Sequence, residues 1–274
     1  MSEALVRTRL DGDLWYVMLA RPEKRNALTP EMVEQVSAAV READRHPHVR
    51  AVIVHAEGPM FSAGIDIMSL GQSRAEVGEA NPARWLRRLA ERLQNALFEI
   101  ESLELPVIGA LHGQVLGLGL ELAAAFDLRV ASADLKLAMP EARMGLVADV
   151  GGTTRLCRLI GPSRAKDMLM TCRSVGAEEA LDWGLVNRVV PAAGDLSPAG
   201  AALAAATTLA KEIAHNAPLA VGMGKLLVDQ GDGVDRHTQM ALERWAQSQL
   251  ITTGDVVEAM TAFFEKRPPK FQGK

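Results

Sequence analysis

Three carboxylic acids stand in places where charged side chains are unusual. Glu121 lies in the apolar run LGLELAAAF, Glu141 directly follows a proline, and Asp149 lies in the run GLVADVGG. Burying an unpaired carboxylate is costly, and carboxyl groups with pKa values shifted by their surroundings often transfer protons. These residue types therefore indicate acid–base chemistry, provided that the fold brings the three acids together.

Each of these acids also has a structural explanation. Glu121 could extend to solvent or form an internal ion pair, and Glu141 could be a solvated loop acid. Asp149 could be the N-cap of a helix that starts near Gly151, and spacing alone favours that interpretation for Asp149. The sequence by itself leaves the choice open for Glu121 and Glu141.

Two segments of small residues could bring backbone N–H groups close to a ligand. The first is FSAGID at 61–66, and the second is GQVLGLGLE at 113–121, where glycines lead into a predicted helix. The free N–H groups and the positive dipole end of a helix start can hold an anion or a developing oxyanion. On spacing alone, a plain strand-to-helix turn is the favoured explanation of the first segment, and neither segment contains the dinucleotide-binding pattern G-x-G-x-x-G.

Short strands and helices alternate around these segments. Apolar runs at 6–10 and 14–19 flank Asp-Gly-Asp and predict a hairpin, and further strands are expected at 51–54, 107–111, 128–131 and 185–190. Thr29-Pro30 and Asn81-Pro82 predict two helix starts. The alanine-rich stretch 192–206 suggests a hinge, and the remaining chain up to about 266 is predicted as amphipathic helices. This order indicates an α/β fold with a helical C-terminal region.

Charge and composition exclude several classes of function. A net charge of -4 argues against binding to nucleic acid or an anionic membrane surface. The two cysteines cannot form a disulfide framework, and the first residues, MSEALVRTRLDGD, lack the apolar run of a signal peptide, which together predict a cytoplasmic protein. The stretch 107–126 carries polar residues and is a poor membrane span. No metal site is expected, because His112 has no second ligand type at suitable spacing.

Six segments in order resemble the enoyl-CoA hydratase/isomerase, or crotonase, superfamily. They are 21–28, 61–66, 106–132, 140–155, 180–186 and 264–269. The resemblance implies a spiral of ββα turns at 1–195 that binds acyl-CoA, and a helical trimerisation region at 196–274. It also implies a homotrimer or a dimer of trimers, and an acyl-CoA thioester as substrate. No cofactor is expected, since coenzyme A is part of that substrate.

The resemblance also assigns site residues. By position, the backbone N–H groups of Ala63 and Leu118 form the oxyanion hole that holds the thioester oxygen, and many relatives have glycine in place of Leu118. The residues expected to contact the substrate or its CoA are Lys24, Arg25, Ala27, Phe61, Ser62, Ala63, Gly64, Ile65, Asp66 and Gly117. For Lys24 and Arg25, which would meet CoA phosphates, ordinary surface charge is an equal alternative.

The function implied first is an enoyl-CoA hydratase of fatty-acid β-oxidation type. Glu121 and Glu141 match the glutamate pair with which the family's hydratases add water, with Glu121 activating water and Glu141 delivering a proton. Asp149 departs from the hydratase pattern and matches an acid of the dienoyl-CoA isomerases, which would use Glu141 and Asp149. A non-catalytic acyl-CoA binder is a third, less favoured reading, because binders tend to lose the acids.

Overall fold

The computed structural model describes residues 4–71, 81–191, 196–231 and 233–274. Its strands are β1 (Val6–Asp11), β2 (Leu14–Leu19), β3 (Ala51–Ala56), β4 (Val107–Leu111), β5 (Gln114–Leu116), β6 (Leu128–Ser132), β7 (Lys136–Ala138), β8 (Val175–Gly176) and β9 (Arg188–Val190). Its helices are α1 (Pro30–Glu42), α2 (Pro82–Glu101), α3 (Leu118–Ala124), α4 (Gly152–Thr171), α5 (Ala177–Trp183), α6 (Pro198–Ala214), α7 (Pro218–Gln230), α8 (Arg236–Leu250) and α9 (Gly254–Glu265).

Within the described residues, six strands form the larger sheet in the order β1-β2-β3-β4-β6-β9. Only β1 runs antiparallel to its neighbour, as the predicted hairpin requires, and the other strands pair in parallel. A second sheet has the order β5-β7-β8, and its first strand, β5, directly follows β4 in the sequence. The α/β class predicted from the sequence is confirmed, and the carboxyl ends of parallel strands β3 and β4 lead into the two segments of small residues.

Both faces of the larger sheet are buried at its central strands β2, β3 and β4, as is usual for parallel strands. Along β2, Trp15, Val17 and Leu19 face the main core, which includes the inner faces of α1 and α2. Leu14 and Tyr16 face the opposite side. This alternation follows from the two-residue period of a strand.

Helix α6 covers that opposite side. Its buried Ala202, Ala206 and Ala210 pack on the sheet together with Leu209. The prediction of a hinge is therefore wrong for 198–206, because alanines allow close packing of a helix on a sheet and are strong helix formers. The remaining part of that prediction, 192–195, lies outside the described residues. The division of the chain into two regions at 195/196 stays a prediction. Helix α6 follows that boundary in the sequence and packs on the sheet that precedes it.

The N-termini of α1 and α2 are capped as predicted. Thr29 Oγ1 accepts a hydrogen bond from Met32 N at 3.2 Å, and Pro30 is the first residue of α1. Asn81 Oδ1 accepts from the backbone N–H groups of Ala83 and Arg84, each at 3.1 Å. These caps satisfy N–H groups that a helix start leaves unpaired. Among the described residues, no helix combines the length and the apolar character needed to cross a membrane.

Candidate active site

Backbone hydrogen bonds join the two segments of small residues into one wall. Ser62 N donates to Gln114 O at 3.2 Å, and Leu116 N donates to Ser62 O at 3.0 Å. A built Cβ at Gly64, where φ is +91°, would lie 2.7 Å from Leu116 O. Only glycine therefore allows the 61–66 segment to approach β5 and the start of α3 this closely.

The backbone N–H of Ala63 is already used inside the fold. It donates to Arg25 O at 3.0 Å, so the assignment of Ala63 to the oxyanion hole is corrected. Ile65 instead forms a parallel bridge in which Leu28 N bonds Gly64 O and Asp66 N bonds Leu28 O. The N–H of Ile65 itself then points away from Leu28.

The N–H groups of Ile65 and Leu118 are available to a ligand. Among the described residues, neither N–H has an acceptor. Leu118 is the first residue of α3, where the first N–H groups have no partner within the helix. Ile65 and Leu118 line the same cavity. This pair can stabilise negative charge on an oxygen placed between the two N–H groups.

Glu121 is buried on α3 and is held by two backbone groups. It is 3 % exposed, and its Oε1 accepts from Val150 N at 2.9 Å and from Gly152 N at 2.8 Å. Burial raises the pKa of Glu121 to about 7, against the lowering effect of these two bonds, and the nearby Glu141 and Asp149 raise it further. Glu121 therefore does not extend to solvent, it forms no ion pair with the described residues, and its pKa near 7 suits a general base.

Glu141 begins a short 3-10 turn (Glu141–Met144) and is half-buried. Its Oε2 is buried and has no hydrogen-bond partner among the described residues. Burial first, and then the charge of Asp149, raise the pKa of Glu141, which favours the protonated acid. The left-handed Gly117, with φ +49°, leaves room for this carboxyl, because a Cβ there would overlap Glu141 Oε1. Gly117 thus shapes the site without presenting a side chain to a ligand.

Asp149 is not a helix cap. The N-cap of α4 is Gly151, and no side chain caps this helix start, so the interpretation from spacing is wrong. Asp149 is an exposed residue that lines the cavity beside Glu121 and Glu141, and partial burial of its carboxyl raises its pKa. Its backbone oxygen accepts from Gln94 Nε2 at 2.5 Å. The third acid is therefore placed where it can reach a bound ligand.

The cavity that joins these groups has a volume of about 260 Å³. Apolar side chains form most of its wall, and they come from Ile65, Leu70, Leu86, Leu89, Ala90, Leu93, Leu118, Met144, Leu146, Val147, Ala148 and Val150. Glu121, Glu141 and Asp149 also line it. The sequence predicts the start of α2 but does not show that Leu86, Leu89 and Leu93 line a cavity. Periodicity alone does not distinguish a core face from a cavity wall.

Several residues expected to contact the substrate have structural roles instead. Phe61 and Ser62 are 0 % exposed. Phe61 packs edge-on against Phe126, with ring centroids 6.4 Å apart. Ser62 Oγ donates to Asn26 O at 2.8 Å and accepts from Gly64 N at 3.1 Å. The expectation that Phe61 and Ser62 touch a ligand is corrected, because neither has free surface.

The loop before α1 is tied to the same wall. Arg21 Nη1 bonds Asp66 Oδ2 at 2.7 Å, so the expected ligand contact Asp66 is engaged in an ion pair. Asn26, which the sequence analysis did not single out, is fully buried and donates to Glu57 O and Met60 O. Asn26 also has a left-handed backbone conformation, with φ +50°. The sequence alone does not reveal this conformation, so it could not mark Asn26 as important for the loop. These contacts fix the position of the whole loop.

Three expected substrate contacts lie on this fixed loop. Lys24 and Arg25 are exposed, and Ala27 is half-buried beside the 61–66 segment. Arg25 lies next to that segment through its backbone oxygen, which accepts from Ala63 N. A role for Lys24 and Arg25 in binding phosphate stays a prediction. Within the described residues, no group of three or more His, Cys, Asp or Glu side chains could hold a metal ion.

Comparisons with known proteins agree on one family. The family model described as Enoyl-CoA hydratase/isomerase matches residues 10–274. The human protein "Enoyl-CoA hydratase domain-containing protein 2, mitochondrial" is 37% identical over 278 residues, covering 100% of this chain and 91% of the relative. The Short-chain-enoyl-CoA hydratase of Clostridium acetobutylicum is 34% identical over 259 residues, covering 94% of this chain and 93% of the relative.

Solved structures match over the same length. The crystal structure of an enoyl-CoA hydratase from Bacillus anthracis superposes with a TM-score of 0.88 at 31% identity. The match covers 99% of this chain and 100% of the other. The spiral α/β architecture expected from the six segments is thereby confirmed. A family match over nearly the whole chain, together with two acids and two free backbone N–H groups around one cavity, shows that the chain belongs to the enoyl-CoA hydratase/isomerase family.

Proposed function

We propose that this chain is an enoyl-CoA hydratase that adds water across the 2,3 double bond of a trans-2-enoyl-CoA thioester. The observation that carries the proposal is the pairing of Glu121 and Glu141 at one apolar cavity, beside the N–H groups of Ile65 and Leu118. Each glutamate has a raised pKa. The family and the relatives named hydratases support the same reaction class.

The two glutamates differ in a way that suits two roles. Glu121 accepts two N–H bonds that orient its carboxyl group, and its pKa of about 7 lets it take up a proton from water near neutral pH, so we assign it as the base. The buried Oε2 of Glu141 receives no such bond from the described residues, so Glu141 is better placed to keep a proton and deliver it. The water oxygen bonds to C3, and the proton from Glu141 goes to C2.

The backbone donors stabilise the charge that develops between these steps. As the bond to C3 forms, the electron pair of the double bond moves towards the thioester carbonyl and builds enolate charge on its oxygen. The N–H groups of Ile65 and Leu118 would hold that oxygen, and each such donor contributes about 10²–10³ in rate. Lys24 and Arg25 would meet the CoA phosphates. No separate cofactor takes part, because coenzyme A enters with the substrate.

One observation favours a second candidate function. Asp149 lines the cavity next to Glu141, and a pair of acids can move double bonds by removing a proton from one carbon and returning one to another. A dienoyl-CoA isomerase would use Glu141 and Asp149 in this way. The hydratase is preferred because Glu121 is the acid that the fold holds most firmly.

Two substrates tested side by side distinguish these functions. The purified protein receives a trans-2-enoyl-CoA and, separately, a 3,5-dienoyl-CoA, and products are read by mass and ultraviolet absorbance. Gain of one water by the first substrate supports the hydratase. New conjugation in the second without a mass change, and no hydration of the first, supports the isomerase. No reaction with either, while CoA thioester still binds, supports a non-catalytic binder.

We also expect a homotrimer or a dimer of trimers. Trp245, Phe263 and Phe264 are 61%, 77% and 78% exposed on α8 and α9. Large exposed apolar side chains grouped on helices are typical of interfaces. Light scattering that gives a monomeric mass would contradict this expectation. The cytoplasmic location stays a prediction, and the human relative is described as mitochondrial.

A further inference from the structure

A partly buried ion pair, in which Arg155 is buried and Glu101 half-buried, joins α2 to α4 beside the candidate site. Arg155 is 6 % exposed, and its Nε and Nη2 each donate to a carboxylate oxygen of Glu101, both at 2.7 Å. A buried ion pair contributes little net stability, because desolvation offsets the attraction between the charges. Its presence beside the site therefore calls for an explanation other than stability alone.

The remaining nitrogen of the guanidinium holds a backbone carbonyl. Arg155 Nη1 donates to Val150 O at 2.9 Å. The next residue, Gly151, has φ +105°, and a Cβ there would overlap Arg155 Nη1. The segment from Val150 to Gly152 therefore wraps around the guanidinium, and only glycine at position 151 permits this path.

The same segment carries the two groups that hold Glu121. Val150 N and Gly152 N donate to Glu121 Oε1 at 2.9 and 2.8 Å. Fixing the carbonyl of Val150 fixes the orientation of the neighbouring peptide groups, because each residue has only two soft backbone dihedrals. Arg155 thus binds the peptide group that lies between the two N–H groups that orient the carboxyl group of Glu121.

We propose that Arg155, held by Glu101, is the positioning residue for Glu121, because it fixes the backbone segment whose N–H groups bind that carboxylate. This inference rests on the proposed function, in which Glu121 takes a proton from water. Arg155 does not touch the substrate in this account. It keeps the base in one orientation, and small displacements of a catalytic group lower rates strongly.

Helix α2 connects the Arg155–Glu101 ion pair to the cavity wall. Leu89 and Leu93 of α2 line the cavity, and Gln94 holds Asp149 O. Glu101 at the end of the same helix holds Arg155. One helix therefore contacts the space for the acyl group and supports the segment behind Glu121 at two points.

The test is the pH dependence of hydration in variants of Arg155. The charged groups facing Glu121 are Glu141 and Asp149, and both stay in place in these variants. For Arg155→Met we expect kcat to fall about 100-fold with KM changed less than about 3-fold. The acidic limb of the rate profile should move up by about one pH unit, because weaker N–H bonds leave the carboxylate less stabilised. Arg155→Lys, which keeps the cation, should recover about 10-fold of the lost rate.

Arg92→Met is the matched control. Arg92 also lies on α2 and forms a two-pronged pair, but its partner is Glu34 on α1. This variant should keep the wild-type pH profile. If Arg155→Met does not fold, Glu101→Gln replaces it and should shift the limb in the same direction. An unchanged limb in the Arg155 variants, or an equal shift in Arg92→Met, would overturn the proposal.

A second readout separates this inference from the proposed function. Amide hydrogen exchange at Val150 and Gly152 needs no substrate, and it should be at least about 10-fold faster in Arg155→Lys than in the wild type. Unchanged exchange overturns the positioning role even if the enzyme is a hydratase. Faster exchange in a protein that does not hydrate enoyl-CoA supports the positioning role and refutes the proposed reaction.

Discussion

Replacing Glu121 with glutamine should stabilise the protein at alkaline pH. The substitution keeps the shape of the side chain and an oxygen that can accept from Val150 N and Gly152 N, but it removes the ionisable group. In the folded protein the pKa of Glu121 is raised from 4.5 to about 7 by burial. Ionising this group therefore opposes folding, and the amide avoids that cost.

The size of the effect follows from the pKa difference between the folded and unfolded states. A raised pKa gives a contribution to stability that is full below the unfolded value of 4.5 and is lost as the pH rises through about 7. The full loss corresponds to about 3 kcal/mol. Glu121→Gln should therefore raise Tm by about 5 °C at pH 8, and change the free energy of unfolding by less than about 1 kcal/mol at pH 5.

The assay is thermal unfolding of both proteins at pH 5 and pH 8, with hydration measured in parallel. Activity should fall about 10²–10⁴-fold, because an amide cannot accept the proton of water. Glu243→Gln removes the same charge from an exposed position on α8 and serves as the control, with no change expected in either property. An equal change in Tm at both pH values would refute the reasoning that Glu121 is a buried acid that ionises near pH 7.

Three further substitutions test other parts of the account. Asp149→Asn should change the hydration rate less than about 3-fold and lower any dienoyl isomerisation about 10²–10⁴-fold, measured with the two substrates separately. Gly117→Ala should displace Glu141 and lower the hydration rate, and it should destabilise the protein by about 1–2 kcal/mol in denaturant unfolding because φ is +49°. Asp127→Asn should lower stability by about 2 kcal/mol in the same assay, since Lys225, whose Nζ lies 3.0 Å from Asp127 Oδ2, would lose this charged partner and keep its bond to Leu105 O.

The elements were predictable where local chemistry determines them. The hairpin of β1 and β2 and the starts of α1 and α2 follow from turn and cap residues that act within a few positions of the chain. The alanine-rich stretch was misjudged, because its helix is stabilised by packing on the sheet as α6. Such packing depends on contacts distant in sequence, and composition does not show it.

The sequence predicted the acids of the site correctly, but it predicted only one of the two backbone N–H donors. Glu121 and Asp149 stand out as charged residues in apolar runs and Glu141 as an acid directly after a proline, and the fold brings all three to one cavity. The assignment of an oxyanion donor to Ala63 was wrong, because the direction of an N–H depends on which residue forms the bridge to Leu28. The pairing of Leu28 with Ile65 is a tertiary contact. Ala63 and Ile65 are two residues apart and face the same side of an extended segment, so the sequence does not show which of them pairs with Leu28.

The most direct test of the central claim is hydration of a trans-2-enoyl-CoA in oxygen-18 water by the wild type, Glu121→Gln and Glu141→Gln. The account predicts a wild-type product that carries one labelled oxygen at C3, and a rate at least about 100-fold lower in each variant. Both variants should still bind the CoA thioester. Hydration at the wild-type rate by either variant, or a wild type that leaves the substrate unchanged, would contradict the account.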